Sequence, residues 1–330
     1  MRLRTASSVP ILAVLAVVSP THGAEPAATV AEIQAKHDRA FIRDLTEYLG
    51  KYPKANDRDQ AYAALFNKAI EHDWFAETEE LGRQYLKTDP EGPVKALAQI
   101  ILTMARAQDG HYDDALARYR ELIQGLDPNE QEEFAASFSD SFAASAIAAG
   151  EFAVARQVYS TLLSRFDESP NLRQKVQSEL KRLDQIGRPA TAFAAEDIQG
   201  QAVRLGAYRG KYVLLDFWAT WCGPCVAELP RMQAAYQAYR DAGFEIIGVS
   251  LDESKAAVVD FVKTRKLPWP QIHNGGTATD LVEAFGVRAI PATYLIDPEG
   301  TIIRIDLRGK ALDETLARLL KRPVARTGAR

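Results

Sequence analysis

The chain has 330 residues, 47% of them hydrophobic and 25% charged, proportions of a globular protein long enough for about two cores. A formal charge of -4 gives no footing for non-specific nucleic-acid binding, so no nucleic-acid partner is expected. Two cysteines are too few for the disulfide framework of a small stapled domain.

At the start, Arg2 and Arg4 precede an apolar run at residues 9–18, followed by Ser19-Pro20 and the small residues Gly23 and Ala24. This is the order of a cleavable secretory signal, assigned to residues 1–24, and it predicts a periplasmic protein. The run is short for a membrane span, and an uncleaved membrane anchor is the alternative. No cysteine lies near the cut, which excludes lipid attachment there.

Residues 25–186 read as an all-α domain. Apolar residues recur at three- and four-residue spacing, and turn signals fall at residues 89–93, Asp109-Gly110, residues 127–129, Gly150 and Ser169-Pro170. Gly110, Tyr112, Ala115, Tyr119 and Leu122 reappear forty positions later as Gly150, Phe152, Ala155, Tyr159 and Leu162. The small alanine lets a neighbouring helix approach while the aromatics fill the groove beside it. The pattern resembles the second helix of a tetratricopeptide repeat, although the period is longer than that family's 34 and the earlier segment 74–90 matches only at Phe75 and Asp89-Pro90. The expectation is a degenerate helical-repeat domain offering a surface to a protein partner; a helical domain packed on itself with no binding role is the alternative.

The character changes at Ile186-Gly187-Arg188-Pro189, and residues 187–325 read as an α/β domain with a short tail at 326–330. Strands are predicted at 212–217 and 244–250 and helices at 224–242 and 254–265, with a short helix at 280–285. Residues 293–296 and 301–306 flank the turn Asp297-Pro298-Glu299-Gly300 as a hairpin, and a helix at 313–320 closes the domain. The implied core is a central mixed sheet flanked by helices.

Both cysteines lie in the stretch DFWATWCGPC, between strand 212–217 and helix 224–242. A structural zinc site needs four N/S ligands, and His37, His72, His111 and His273 are scattered, so no metal and no other cofactor is expected. A bridge closing so small a loop restrains almost nothing, which weakens the staple reading. The redox reading accounts for more residues. Cys222 would sit at a helix N-terminus, where free N–H groups and the helix dipole favour a thiolate. Pro224 in the first turn forfeits no needed hydrogen bond, and Cys225 comes round one turn later within disulfide reach. Cys222 would then attack a disulfide and Cys225 resolve the mixed disulfide. Two carboxylates are candidates to move the proton of Cys225. Asp216 lies among Leu214, Leu215, Phe217 and Trp218, where burial raises its pKa; the alternative is a strand-end cap. Glu228 lies three residues beyond Cys225 on the same helix, either facing that pocket or as a solvated helix charge.

DFWAT, WCGPC and Pro230 resemble the thioredoxin active site, and Ile290-Pro291-Ala292-Thr293 resembles the loop whose proline is cis and lies against the cysteine pair. In that family this loop pairs with substrate backbone, which implies Trp221, Gly223, Pro224, Ile290 and Pro291 as substrate-contacting residues. A more detailed likeness, over residues 188–322, is to exported thioredoxin-like reductases of the TlpA/ResA type, carried by residues 194–211, FWATWCGPC, Glu228-Leu229-Pro230, residues 248–252 and residues 289–297. Residues 267–270 fit the insertion of that group. Those proteins commonly have Asn at the position of Asp216 and use the later Glu, whereas thioredoxin has the Asp alone; this chain carries both.

The resemblance implies an exported thiol:disulfide oxidoreductase, reducing disulfides of client proteins and re-reduced by an upstream electron donor such as a membrane thiol reductase. A peroxiredoxin-like antioxidant is a second reading, for which Leu215 and Ala219 stand where that chemistry has Pro and Thr. A third is a non-enzymatic adaptor that binds a partner through its helical domain.

Overall fold

Helices give way to strands between Leu183 and Ala194. In the computed structural model, which describes residues 30–88, 90–276 and 280–320, eight helices precede the first strand among the described residues. The expected signal at residues 1–24 and the expected tail at 326–330 lie outside the described residues. The helices are α1 (Val30–Lys51), α2 (Arg58–Glu71), α3 (Phe75–Leu86), α4 (Pro93–Gln108), α5 (Tyr112–Gly125), α6 (Glu132–Ala149), α7 (Phe152–Arg165) and α8 (Pro170–Leu183). Pro93 and Pro170 open their helices, where the missing N–H is no loss, and the Ser169 hydroxyl caps α8 by accepting from the Leu172 N–H at 3.3 Å.

The forty-residue repeat has a physical basis. Ala115 and Ala155 are completely buried at equivalent places in α5 and α7, and Leu122 and Leu162 are buried two turns on. The Tyr119 hydroxyl lies 2.6 Å from the Ser139 hydroxyl and donates to the Val158 carbonyl at 3.1 Å, tying α5 to α6 and α7. The array reaches one unit earlier than the sequence comparison suggested. Helix α3 also begins on an aromatic, the buried Phe75, and carries the buried Thr78 where its counterparts have alanine. The second aromatic position is Gly82, against which α4 packs, and Tyr85 is buried where the counterparts have leucine.

After Gly187, whose φ of +82° ends the helical region, comes a small antiparallel hairpin of β1 (Ala194–Glu196) and β2 (Ala202–Arg204). Then follow β3 (Tyr212–Trp218), α9 (Gly223–Tyr239), β4 (Phe244–Ser250), α10 (Lys255–Arg265), β5 (Gln271–His273), α11 (Leu281–Phe285), β6 (Ala292–Ile296), β7 (Ile302–Ile305) and α12 (Gly309–Leu319). The sheet order is β5-β4-β3-β6-β7, parallel from β5 to β3 and antiparallel through β6 and β7. This is the mixed sheet with a terminal hairpin implied by the sequence. The prediction missed β1, β2 and β5, each only three residues long, and α12 starts at Gly309, a turn earlier than expected.

Alternation along β3 divides the core. Leu214 and Trp218 pack with α9, α10 and α12 on one face, while Val213, Leu215 and Phe217 face a second cluster. That second cluster includes α11, through Leu281 and Phe285, and continues into the core of the helical region. Main-chain bonds reinforce the junction: Gly187 N–H donates to the Ile302 carbonyl at 2.8 Å and Ile302 N–H to the Arg188 carbonyl at 3.0 Å. The helical region thus packs on one face of the sheet, and α9 with its cysteines lies on the other.

Candidate active site

Strand β3 carries Asp216 and Trp218 to the end of the sheet, and its exit is held before the cysteines arrive. The buried Trp218 indole N–H donates to the Gln271 side-chain oxygen at 2.9 Å. Gly248 makes room for that bond, because a Cβ there would come within 2.0 Å of the same oxygen. The loop after β3 is pinned by Asp252, whose carboxylate accepts from Thr220 N–H at 3.0 Å and from the Thr220 hydroxyl at 2.5 Å. Asp252 is held in turn by the Ser250 hydroxyl at 2.8 Å, and His273 Nε2 lies 2.7 Å from its carbonyl.

From this fixed loop Cys222 becomes the N-cap of α9, its sulfur accepting from the Cys225 N–H at 3.2 Å. The two cysteines are joined as a disulfide with their Cα atoms 5.3 Å apart, and both are buried. On reduction the same N–H, reinforced by the helix dipole, stabilises a thiolate on Cys222. The residues around the pair differ sharply in exposure. Trp221 is 68% exposed, the most open large hydrophobic side chain among the described residues of the sheet-bearing half, and Gly223 and Pro224 are exposed as well. The Ile290-Pro291 peptide bond is cis, and Ile290 packs against the cluster that contains both cysteines.

Behind the disulfide lies Asp216, paired across the sheet with Thr293 of β6 and Gly248 of β4. Its position in the strand puts it on the face of Leu214 and Trp218, the face that packs with Cys225. Burial in this apolar setting pushes its pKa up from 3.8 to about 7; the charge of Arg308 opposes the rise and that of Glu228 adds to it. Glu228 is half-buried, and its Oε2 accepts from the Gly309 N–H at 3.1 Å where α12 begins. It is therefore anchored beside the pocket and within electrostatic reach of Asp216, unlike a free helix charge.

Sequence reasoning located the cysteines, both carboxylates and the Ile290-Pro291 loop, and the fold gathers them at one end of the sheet. It missed Arg308, Asp252 and Gln271. Residues 248–252 were noted only as a resemblance, and nothing in their spacing announced that Asp252 would pin Thr220. A separate group, Asp38, Glu71 and His72, brings three potential ligand atoms within 4.8 Å of one another. Lys68 already supplies a cation there, with its Nζ 2.7 Å from Glu71 and 3.4 Å from Asp38.

Comparison with known proteins bears on the sheet-bearing half. The family model described as AhpC/TSA family matches residues 186–305. The thiol-disulfide oxidoreductase ResA of Bacillus cereus (strain ATCC 10987 / NRS 248) is 37% identical over 139 residues, covering 42% of this chain and 78% of that protein. ResA of Bacillus subtilis (strain 168) is 37% identical over 119 residues, or 36% of this chain and 65% of that protein. Among solved structures, the thioredoxin domain of a thiol-disulfide oxidoreductase from Bacteroides vulgatus is 34% identical with a TM-score of 0.39, covering 41% of this chain and 97% of that one.

Proposed function

Because the chain belongs, through its C-terminal half, to the family of ResA thiol-disulfide oxidoreductases, we propose that it acts as a reductase of protein disulfides outside the cytoplasm. In the reduced chain the Cys222 thiolate attacks one sulfur of a client disulfide. A mixed disulfide forms and the client's other sulfur leaves as a thiolate. Cys225, deprotonated by Asp216, then attacks the Cys222 sulfur. The second client thiol is released, and the Cys222–Cys225 disulfide remains on this chain. Two electrons pass to the client, and an external thiol donor must return them before the next turnover.

The observation that carries this reading is the buried Asp216, held near neutral pH on the face of β3 that packs with Cys225. A carboxyl poised near 7 can take a proton from a thiol and release it again at physiological pH. Trp221, Gly223, Pro224 and the Ile290-Pro291 loop form the rim against which a client strand is laid. Peroxide reduction is disfavoured, because Ala219, completely buried in the cluster that holds Cys222, offers no hydroxyl where that chemistry has Thr. Export rests on the order of residues 1–24, which N-terminal sequencing of the protein recovered outside the cytoplasm tests directly.

The decisive experiment is the reduction potential of the Cys222–Cys225 pair in a glutathione buffer. The reading expects a value toward the about -270 mV of a reducing dithiol. A potential near about -120 mV, that of a strong disulfide-forming oxidant, overturns it. In parallel, Cys222→Ser should abolish disulfide reduction, and Cys225→Ser should accumulate mixed disulfides whose second member names the client.

A further inference from the structure

One buried charge of the helical region is not explained by helix packing. Arg182, in the last turn of α8, is only 8% exposed, and its guanidinium is shared among three partners. Nη1 donates to Glu179 at 2.9 Å, Nε to the Tyr294 hydroxyl at 3.3 Å, and Nη2 to both oxygens of Asp306 at 2.8 and 2.9 Å. Tyr294 and Asp306 belong to the sheet-bearing half, so this arginine reaches across the junction. Asp306 has a φ of +53°, a left-handed conformation that Asp and Asn adopt more readily than other residues with side chains.

Residues 306–309 form a strap between β7 and α12, and each of them is tied to something of consequence. Asp306 N–H donates to the Thr293 carbonyl at 2.8 Å, and Thr293 is the cross-strand neighbour of Asp216. The Leu307 carbonyl accepts from the Thr293 hydroxyl at 3.1 Å, and the Leu307 side chain is buried in the cluster that holds Cys222 and Cys225. Arg308 is the cation whose charge reaches Asp216, and the Gly309 N–H binds Glu228. The strap therefore begins at an arginine of the helical region and ends at the two carboxylates behind Cys225.

We propose that Arg182 is a positioning residue for the thiol chemistry: by clamping Asp306 it fixes the strap that presents Arg308 and the Gly309 N–H to Asp216 and Glu228. The helical region thereby sets the electrostatic surroundings of Cys225 without touching it. Displacing Arg182, for instance when a partner docks on the helices and shifts α8, loosens the strap and carries the Arg308 charge away from Asp216. The charged groups facing Asp216 are Glu228 from α9 and Arg308 at the start of α12; the opposed residue of β4 is Gly248, and the Thr293 hydroxyl of β6 is committed to Leu307. This inference rests on the dithiol reading above, but its test needs no client.

The test follows the rate at which iodoacetamide alkylates the reduced full-length chain as a function of pH. The midpoint belonging to Asp216 is identified as the one that disappears in Asp216→Asn. Asp306→Asn keeps a residue type tolerant of the left-handed backbone and removes the ion pair. It should move that midpoint upward by about half a pH unit, a fraction of what a charge at close range contributes. Arg182→Lys keeps the charge but cannot hold three partners at once, and should give a smaller shift in the same direction. Combined with Arg308→Gln, Asp306→Asn should add nothing to the shift of Arg308→Gln alone, because both act through one guanidinium. An unmoved midpoint in a folded Asp306→Asn chain, even one with a lowered melting temperature, overturns the proposal, as does an additive double variant. If Asp306→Asn does not fold, an unmoved midpoint in Arg182→Lys overturns it equally. Failure of the dithiol reading would look different, with disulfide reduction surviving in Cys222→Ser.

Discussion

Replacing Asp216 by asparagine removes the ionisable group while keeping its size, and the consequence can be worked out in sign and magnitude. In the unfolded chain this carboxyl ionises near 3.8, and in the folded chain only near 7. Below 3.8 both states hold the proton and the residue adds no pH dependence. Between 3.8 and about 7 the unfolded state releases its proton while the folded state keeps it, so stability falls as pH rises. The slope is about 1.4 kcal/mol per pH unit, and the accumulated loss above neutral pH approaches about 4 kcal/mol. Asp216→Asn abolishes this fall. Guanidinium unfolding of the oxidised chain, in which the cysteines do not titrate, should be followed at intervals from pH 4 to pH 8. The stability of Asp216→Asn relative to the native chain should climb steadily across that window and level off beyond it. A difference that stays flat from pH 4 to pH 8 would refute the argument that burial holds this carboxyl protonated, and with it the assignment of Asp216 as proton acceptor.

Three further substitutions probe the frame around the cysteines. Gly248→Ala drives a Cβ into the Gln271 side chain that serves the Trp218 indole, and should cost about 2–3 kcal/mol by thermal melting, with Gln271→Ala relieving part of the clash. Thr220→Val removes a hydroxyl bond to the Asp252 carboxylate and should destabilise by about 1.5–3 kcal/mol, with a slower approach to the mixed disulfide as the loop bearing Trp221 loosens. Glu228→Gln removes a negative charge that raises the pKa of Asp216, so the Asp216 midpoint in the alkylation profile should move down, opposite to the effect of Arg308→Gln. Shifts of the same sign in those two variants would contradict the electrostatic picture.

The parts of this fold that could be read from the sequence are those where one residue type answers one local demand. The apolar run of β3, the Pro-led start of α9 and the Ile290-Pro291 bond are of that kind. So is the helical repeat wherever alanine and tyrosine keep their order. The first unit matched only weakly because its residues differ in size: Gly82 stands where α5 and α7 place tyrosine and lets α4 approach, a Cβ there meeting Leu102 at 3.4 Å, while Tyr85 is buried where they place leucine. Strand β5 was hidden because it is three residues long and lies between Pro270 and the glycines at 275–276. The charged residues that matter most, Arg182, Arg308 and Asp252, sit in segments with the composition of a solvated surface. Arg182 reaches Asp306 124 positions away and Asp252 pins Thr220 32 positions away, and no local pattern encodes such pairing.

The two faces of β3 explain why those long-range charges matter. Alternation sends Val213, Leu215 and Phe217 toward the helical region and Leu214, Asp216 and Trp218 toward α9. A single layer of sheet therefore separates the helices from the dithiol, and the rim at Trp221 stays exposed. The cost of this separation is that no helical residue can act on Cys225 directly. Influence must travel round the edge of the sheet, where the chain itself changes faces. Residues 305–307 make that change: Ile305 packs on the helical side and Leu307 on the dithiol side, with the left-handed Asp306 between them. An arginine gripping that hinge is thus placed where a contact on the helical face can be felt at the carboxylates on the other.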